Sequence, residues 1–165
     1  KYGVFTELDD SGFLNLTIHP LSEINGQLPI LQFSSKRSAR NAVRKIMDKH
    51  QLSPLLCGFS EQYPDRKLPK SKDAYNFKLE KIMARYQFKK DNFFLIGDGR
   101  SHHEHSIIWV ENQQYKGYGF FEPEYIEDDI ESFKESVNLR QESPEIRKMI
   151  MQYMRKKNKD EIISY

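Results

Sequence analysis

The stretch NFFLIGDGRSHHEHSIIWVENQQYKGYGFF, residues 92–121, decides the fold because it contains three apolar or alternating runs separated by polar residues. Runs of this length and pattern predict β-strands with at least one buried face. We predict strands at NFFLI, SIIWVE and YKGYGFF, a loop from Gly97 to about His103, and a turn at Asn112-Gln113-Gln114. Together the three strands form an antiparallel meander.

The last of these strands carries two glycines on one face. A two-residue period places on that face Tyr115, Gly117, Gly119 and Phe121, and on the opposite face Lys116, Tyr118 and Phe120. The glycines expose backbone, which admits a ligand or another chain segment, or lets a bulky neighbour such as Trp109 or a helix lie close to the sheet. Close packing is the commoner explanation.

The chain before the meander predicts a hairpin and two helices. YGVFTELDD and FLNLTIHP alternate as strands around a turn at Asp10-Ser11-Gly12, and Pro20 ends the second strand. After the run ILQFSS, Ser34 or Ser35 caps a helix over residues 36–50, whose apolar face consists of Ala39, Ala42, Val43, Ile46 and Met47. Residues 52–72 carry three prolines and many charges, which predicts an exposed loop. A second helix follows over residues 73–88, with Asp73 as its cap.

Two helices and a short strand are predicted after the meander. EYIEDDIESFKESV, residues 124–137, is an acidic helix, and SPEIRKMIMQYMRKKN, residues 143–158, is a basic one with a Ser143 cap and Pro144 in its first position. EIISY ends as a short strand. The fold class is α+β: an antiparallel sheet, made of the N-terminal hairpin and the later three-stranded meander, packed with about four helices. We expect residues 1–165 to form a single domain, with a subdivision into 1–90 and 91–165 as the alternative.

Composition limits the environment of the chain. At 165 residues it is long enough for one hydrophobic core or two small ones. Cys57 is the only cysteine, so a disulfide framework is excluded, and no stretch approaches the roughly 20 apolar residues of a membrane helix. These features favour a cytoplasmic location and no membrane partner. Because a strand-like run follows Lys1 at once, we expect the chain to be a piece of a longer protein.

The net charge of +2 conceals a strong asymmetry along the chain. Residues 36–90 contain 15 Lys and Arg against 5 Asp and Glu, whereas residues 122–145 contain 9 acidic residues against 2 basic ones. A basic segment beside an acidic one suits a nucleic-acid partner on one face. A solvated, self-complementary surface explains the same charges equally well.

The loop between the first two strands of the meander collects metal-ligating residue types, namely Asp98, His102, His103, Glu104 and His105. Zinc hydrolase helices place two histidines four residues apart so that both face one metal, and the shorter spacings in this loop lack that geometry. A metal site and general acid–base catalysis by one histidine remain as alternatives. The preferred interpretation is structural, with Arg100 and Glu104 paired across the loop.

Several motifs together resemble one group of bacterial proteins. They are FSS before the first helix, LLCG, YN in the second helix, and FFLIGDGRSHHEHSIIWVENQQYKGYGF. The combination is similar to the region downstream of the GIY-YIG nuclease module in proteins that fuse a DNA polymerase III epsilon-like 3′-5′ exonuclease to a UvrC-like module. The resemblance runs through most of the chain and rests on Phe33-Ser34-Ser35, Leu56-Cys57-Gly58, Tyr75-Asn76, Gly99-Arg100, Glu104, Ser106, Glu111 and Gly117-Tyr118-Gly119-Phe120.

Two departures limit what this resemblance implies. In such relatives the LCG cysteine looks like the first of a cysteine group, a ligand set for a metal or an iron–sulfur cluster. A cluster needs about four thiolates, so we expect none on Cys57 alone and no cofactor in this chain. The acidic exonuclease motifs and the GIY-YIG tyrosines and arginine do not occur in these residues. The resemblance therefore assigns catalysis, with its Mg²⁺ or other divalent metal, to domains upstream of Lys1.

The leading hypothesis is a non-catalytic accessory domain of a DNA-repair or replication nuclease, which positions DNA or a partner for the upstream domains. The residues expected to contact phosphate are Arg37, Arg40, Arg44, Lys45, Lys78, Lys81 and Arg85. Core packing is the commoner role for most of the set Tyr115, Tyr118 and Phe120, whereas exposed members would stack on unpaired bases.

Two alternatives come from other classes of protein. One is a protein-docking module that uses the acidic helix 124–137. The other is a small metal-dependent hydrolase centred on His102, His103, His105 and Asp98. The candidate site in this loop comprises Arg100, His103, Glu104 and His105.

Overall fold

The N-terminal hairpin belongs to the first of two compact units. In a computed structural model, which describes residues 1–156 and 162–165, the chain divides into Lys1–Gln87 and Phe88–Tyr165. The first unit contains a three-stranded antiparallel sheet with the order β2-β1-β3, made of β1 (Tyr2–Leu8), β2 (Leu14–Pro20) and β3 (Leu31–Phe33). Its helices are α1 (Lys36–His50) and α2 (Lys72–Ala84).

The second unit is built on a five-stranded antiparallel sheet with the order β7-β6-β5-β4-β8. The predicted meander forms its centre as β4 (Phe93–Asp98), β5 (His105–Glu111) and β6 (Gln114–Phe121). The flanking elements are α3 (Ile130–Glu135), β7 (Val137–Leu139), α4 (Pro144–Met154) and β8 (Ile162–Ser164). The α+β class, the hairpin, the meander and the final short strand are confirmed. The last two positions of the predicted helix 143–158 lie outside the described residues.

The core of the first unit collects the apolar faces of its sheet and helices. Four residues of the predicted α1 face are buried, namely Ala39, Val43, Ile46 and Met47. Ser35 caps this helix, because its Oγ accepts from the Ser38 N–H at 3.1 Å. Asn76 of α2 joins the helix to the hairpin: its amide accepts from the Leu14 N–H at 2.9 Å and donates to the Gly12 carbonyl at 2.8 Å.

The prediction of an exposed loop over residues 52–72 is wrong for the first half of this segment. The side chains of Leu52, Leu56, Cys57 and Phe59 are buried in the core of the first unit. The prolines and charges that predict exposure lie mostly after residue 59, whereas the preceding residues are largely apolar. Burial raises the pKa of the Cys57 thiol to about 12, so this side chain packs as an unreactive apolar group.

The cap of α2 also differs from the prediction. Ser71, rather than Asp73, is the N-cap residue, because the Ser71 Oγ accepts from the Ala74 N–H at 3.2 Å. Asp73 lies instead within the first turn, where a carboxylate is favoured by the positive end of the helix dipole.

Helices cover both faces of the second sheet. Adjacent residues of β4 point to opposite faces, so Phe93 and Phe94 belong to different clusters. On one face Phe93 packs in a cluster with Ile150 of α4, and on the other Phe94 packs in a cluster with Phe133 of α3.

A β-bulge places Tyr115 on the face of β6 opposite to the predicted one, whereas residues 117–121 alternate as predicted. Val110 pairs with Tyr115, whereas its neighbour Trp109 pairs with Gly117, so β6 holds one extra residue at this point. Tyr115 therefore lies on the α4 side, whereas Phe121 packs with Phe133 on the α3 side. A strict two-residue period does not detect such an insertion.

The two glycines of β6 lie against the chain segment that leads into and forms β7. A Cβ atom at Gly119 would overlap the carbonyl oxygen of Ser136, and one at Gly117 would overlap that of Asn138. Gly117 also has a φ of +153°, which L side chains rarely adopt. Of the alternatives raised by the sequence, the structure therefore shows close approach of another chain segment.

The prediction of an acidic helix over residues 124–137 is wrong for most of this segment. Only Ile130–Glu135 is helical, and Asp129 is its N-cap, with Oδ1 accepting from the Ser132 N–H at 2.7 Å. The segment before it forms turns, with a hydrogen bond from the Tyr125 N–H to the Glu122 carbonyl. Like-charged neighbours and the capping preference of aspartate oppose an earlier start. A continuous docking helix is therefore absent from this described segment.

Candidate nucleic-acid interface

Three arginines of α1 lie along one side of the helix. Arg37, Arg40 and Arg44 occupy positions i, i+3 and i+7, which lie within about 60° of one another on a helical projection. Arg37 and Arg44 are exposed and Arg40 is half-buried, while Lys45 extends the exposed basic surface around the helix. The structure thus brings together all four residues that the sequence selects on α1.

Two of these arginines pack on the buried ring of Phe59. The guanidinium carbon lies 4.5 Å from the ring centroid for Arg40 and 5.1 Å for Arg44, which is cation–π distance. Arg40 also donates to the Gly58 carbonyl at 3.4 Å and to Gln62 Oε1 at 3.5 Å. Sequence patterns do not indicate this arrangement, because Phe59 lies in the segment predicted to be an exposed loop.

The cations of α2 repeat the same spacing. Lys78, Lys81 and Arg85 occupy positions i, i+3 and i+7 at the end of the helix, and all three are exposed. The Lys81 ammonium lies 4.6 Å from the ring centroid of Phe77, itself an exposed side chain.

The imidazole of His50, at the end of α1, lies in the electrostatic field of cations from both helices. Burial, followed by the charges of Lys49, Arg85 and Lys78, lowers the pKa of this imidazole. The last turn of α1 and the end of α2 therefore contribute to one positive field within the first unit. The sequence-based assignment misses Lys49 and His50, although basic residues in a final helical turn are a recognisable pattern.

The basic residues of these helices have no close carboxylate partners among the described residues. There, every salt bridge of a Lys or Arg within 4.0 Å belongs to the second unit. The first unit holds 14 Lys and Arg against 9 Asp and Glu, a net +5, whereas the second holds 12 against 15, a net −3. The positive charge of α1 and α2 is thus largely exposed, and within the described part of the chain it has no ion pair at 4.0 Å or less.

The predicted pair between Arg100 and Glu104 is confirmed. Arg100 donates from Nε to Glu104 Oε1 at 2.8 Å and from Nη2 to Oε2 at 2.7 Å, a two-point contact. The Arg100 backbone N–H also donates to Glu104 Oε1, and the Gly99 N–H donates to the Glu104 carbonyl, both at 3.0 Å. These contacts close the loop between β4 and β5.

The pKa of the Glu104 carboxyl group is expected to lie far below that of an ordinary glutamate. Hydrogen bonds from the Arg100 side chain and backbone lower its pKa from 4.5 to about 2. Because the folded pKa is depressed, the pair's contribution to stability is complete above pH 4.5 and is lost as pH falls toward about 2. An NMR titration of the side-chain carboxyl should show this midpoint, and Arg100→Gln should move it upward. An unchanged midpoint in the variant would contradict the pairing.

The histidines of the same loop are not gathered around a metal position. His102 and His103 are exposed in a turn, while His105 begins β5 with its ring 5.7 Å from that of Phe121. Across residues 1–156 and 162–165, no group of three or more His, Cys, Asp or Glu side chains could hold a metal ion. Of the loop residues that the sequence selects, Arg100 and Glu104 form a structural pair. The histidines belong to no group of possible metal ligands among the described residues.

The aromatic set of β6 lies on one side of the sheet, and its members differ in burial. Tyr115 is buried beneath the α4 side of the sheet and has no surface for a base. Tyr118 is exposed and Phe120 is half-buried, so they retain accessible ring area.

No family model, curated protein or solved structure matches this chain. No helix in the described part of the chain is long and apolar enough to cross a membrane.

Proposed function

We propose that this chain is a non-catalytic nucleic-acid-binding module in which α1 and α2 hold the phosphate backbone of DNA. The observation that carries the proposal is the set of exposed cations on the two helices without carboxylate partners in the described structure. Such a surface attracts a polyanion, since each Lys or Arg that meets a phosphate releases condensed counterions.

The packing around Phe59 supports this role. Stacked guanidiniums have less side-chain freedom in the folded protein, so the entropic cost of ordering them on a ligand is smaller. Arg44 remains exposed despite its contact with the ring, so its remaining N–H groups are accessible to phosphate oxygens.

The resemblance to the nuclease fusion proteins supports the biological setting of the proposal. In that setting the module positions DNA for metal-dependent nuclease domains upstream of Lys1, as an accessory part of a repair or replication protein. The module itself requires no cofactor for phosphate binding, because Lys and Arg side chains supply the positive charge.

Reversing two exposed charges on α1 should weaken binding. Arg37→Glu combined with Lys45→Glu avoids the residues that pack on Phe59, so we expect a folded protein with lower affinity for DNA. The slope of log affinity against log salt concentration should become shallower by about 0.9 on duplex DNA, or about 0.7 on single-stranded DNA, for each phosphate that the variant no longer neutralises. Fluorescence anisotropy with labelled oligonucleotides measures both quantities.

The matched control is Lys89→Glu combined with Lys148→Glu, which changes the net charge equally at exposed positions of the second unit. This control should retain most of the affinity. Equal reductions in affinity for the two double variants would indicate a general charge effect and would contradict an interface on α1.

A further inference from the structure

Four side chains form a continuous line in the second unit, here called the β6 stripe: Arg140, Tyr118, Phe120 and Arg100. The Arg140 guanidinium lies 5.9 Å from the Tyr118 ring centroid, and the Arg100 guanidinium lies 4.2 Å from that of Phe120. The two rings are 6.3 Å apart and nearly perpendicular, at 87°. A pair of aromatic rings, Tyr118 exposed and Phe120 half-buried, is therefore flanked at both ends by guanidinium groups.

The stripe lies on the same side of β6 as the α4 core. Tyr118 pairs with Ile108 and Phe120 with Ser106, in the same alternation that pairs Tyr115 with Val110. Tyr115 is buried there, but Tyr118 is 44% exposed, so apolar ring surface continues from the core into solvent.

The two arginines of the stripe differ in their available charge. Arg100 is bound at two points by Glu104, so it contributes a fixed planar surface with a compensated charge. Arg140 donates to the adjacent Leu139 carbonyl at 3.0 Å and is exposed. The stripe therefore offers stacking surface along its length and cationic character mainly at the Arg140 end.

We propose that the β6 stripe binds unpaired bases of single-stranded nucleic acid. This inference rests on the proposed function and names its preferred substrate: the cations of the first unit supply affinity for phosphate, and the stripe supplies preference for unpaired bases. A base stacks on an exposed tyrosine face, and an adjacent guanidinium stacks on the base or meets its phosphate. The faces of duplex bases are already stacked on each other, so they are not accessible to Tyr118.

Tyr118→Ala tests this inference against a matched control, Tyr125→Ala. Tyr125 belongs to the same unit and is 78% exposed, but it is not part of the stripe. With labelled single-stranded and duplex DNA of one sequence, Tyr118→Ala should weaken single-strand binding about tenfold, since one base stack on an aromatic ring contributes roughly this much. Duplex binding should be unchanged, and Tyr118→Phe should retain the single-strand affinity because it keeps the ring.

The outcomes separate the stripe from the proposed function. One outcome is that Tyr118→Ala binds single-stranded DNA as tightly as the wild type does, while Arg37→Glu/Lys45→Glu binds DNA more weakly. This outcome would contradict base binding by the stripe but not phosphate binding by α1. Equal weakening on single-stranded and duplex DNA would also overturn base stacking. Failure of the wild-type protein to bind either DNA would overturn both proposals, and the stripe would then be a candidate surface for a protein partner.

Discussion

Arg147→Met is expected to destabilise the second unit by about 3–5 kcal/mol, the range for breaking a buried ion pair by removing one partner. The Arg147 side chain donates to the Gln113 carbonyl, to Gln113 Oε1 at 3.2 Å and to Glu142 Oε1 at 2.9 Å. Its guanidinium also lies 4.4 Å from the ring centroid of Phe88. Methionine retains the apolar stem but leaves the Glu142 carboxylate largely buried without its cation.

The fluorescence of Trp109 reports this destabilisation, because it is the only tryptophan of the chain and lies in the second unit. Urea unfolding followed at this residue gives the free energy of unfolding. Lys148→Met is the control, since it places the same substitution at the adjacent, exposed position of α4. Similar unfolding free energies for the two variants would contradict a structural role for Arg147.

Gly119→Ala is expected to destabilise the protein by about 3 kcal/mol, the upper part of the range for overpacking. The new methyl group would overlap the Ser136 carbonyl oxygen, a backbone atom that cannot move aside as a flexible side chain can. The segment must therefore retreat from β6, which disturbs both β7 and the packing of Phe133 from α3.

Gly26→Ala is the control for Gly119→Ala, because a Cβ atom at Gly26 meets nothing within 4 Å. Its φ of +85° makes alanine unfavourable there by about 1 kcal/mol without any overlap. Urea unfolding followed by circular dichroism compares the two variants. A smaller destabilisation by Gly119→Ala than by Gly26→Ala would contradict the close approach of residues 136–138.

Local patterns are sufficient to predict the elements that depend on local interactions. The helix α1 is predicted at its observed bounds, because the spacing of Ala39, Val43 and Ile46 coincides with a serine cap directly before the helix. The hairpin is predicted because alternating residues flank a glycine turn, where Gly12 has a φ of +84°. In both cases the residues that determine the element lie within it or beside it.

Other features depend on residues far apart in the chain. Sequence patterns place Gln113 only in a turn, yet its side chain is buried, accepts from the Phe88 N–H and donates to the Phe88 carbonyl, both at 2.8 Å. Arg147 belongs to a helix predicted to be basic, and its burial against Gln113 and Glu142 has no local signal. The bulge in β6 also depends on a second part of the chain, because an extra residue is detected only when two strands are aligned.

The same distinction applies to the candidate interface. Charge counting is sufficient to select the basic segment, and helical spacing places the three selected arginines of α1, and the three selected cations of α2, along one side of each helix. Their contacts with Phe59 and the shared field at His50 depend on the tertiary structure.

Several residues of the motifs that the sequence singles out have structural roles. Gly99, Arg100 and Glu104 close the loop between β4 and β5, and the glycines of β6 admit the neighbouring segment. Asn76 connects α2 to the hairpin through hydrogen bonds with Leu14 and Gly12. These motif residues therefore stabilise the fold of this chain, and the functional proposal depends on the surface cations instead.

The most direct test of the central claim is a salt series with the wild-type chain and a labelled single-stranded oligonucleotide, measured by fluorescence anisotropy. If the cations of α1 and α2 contact phosphates, log affinity should fall linearly with log salt concentration, with a slope of about 0.7 per neutralised phosphate. A slope near zero, or no binding at low salt, would contradict nucleic-acid binding by these helices.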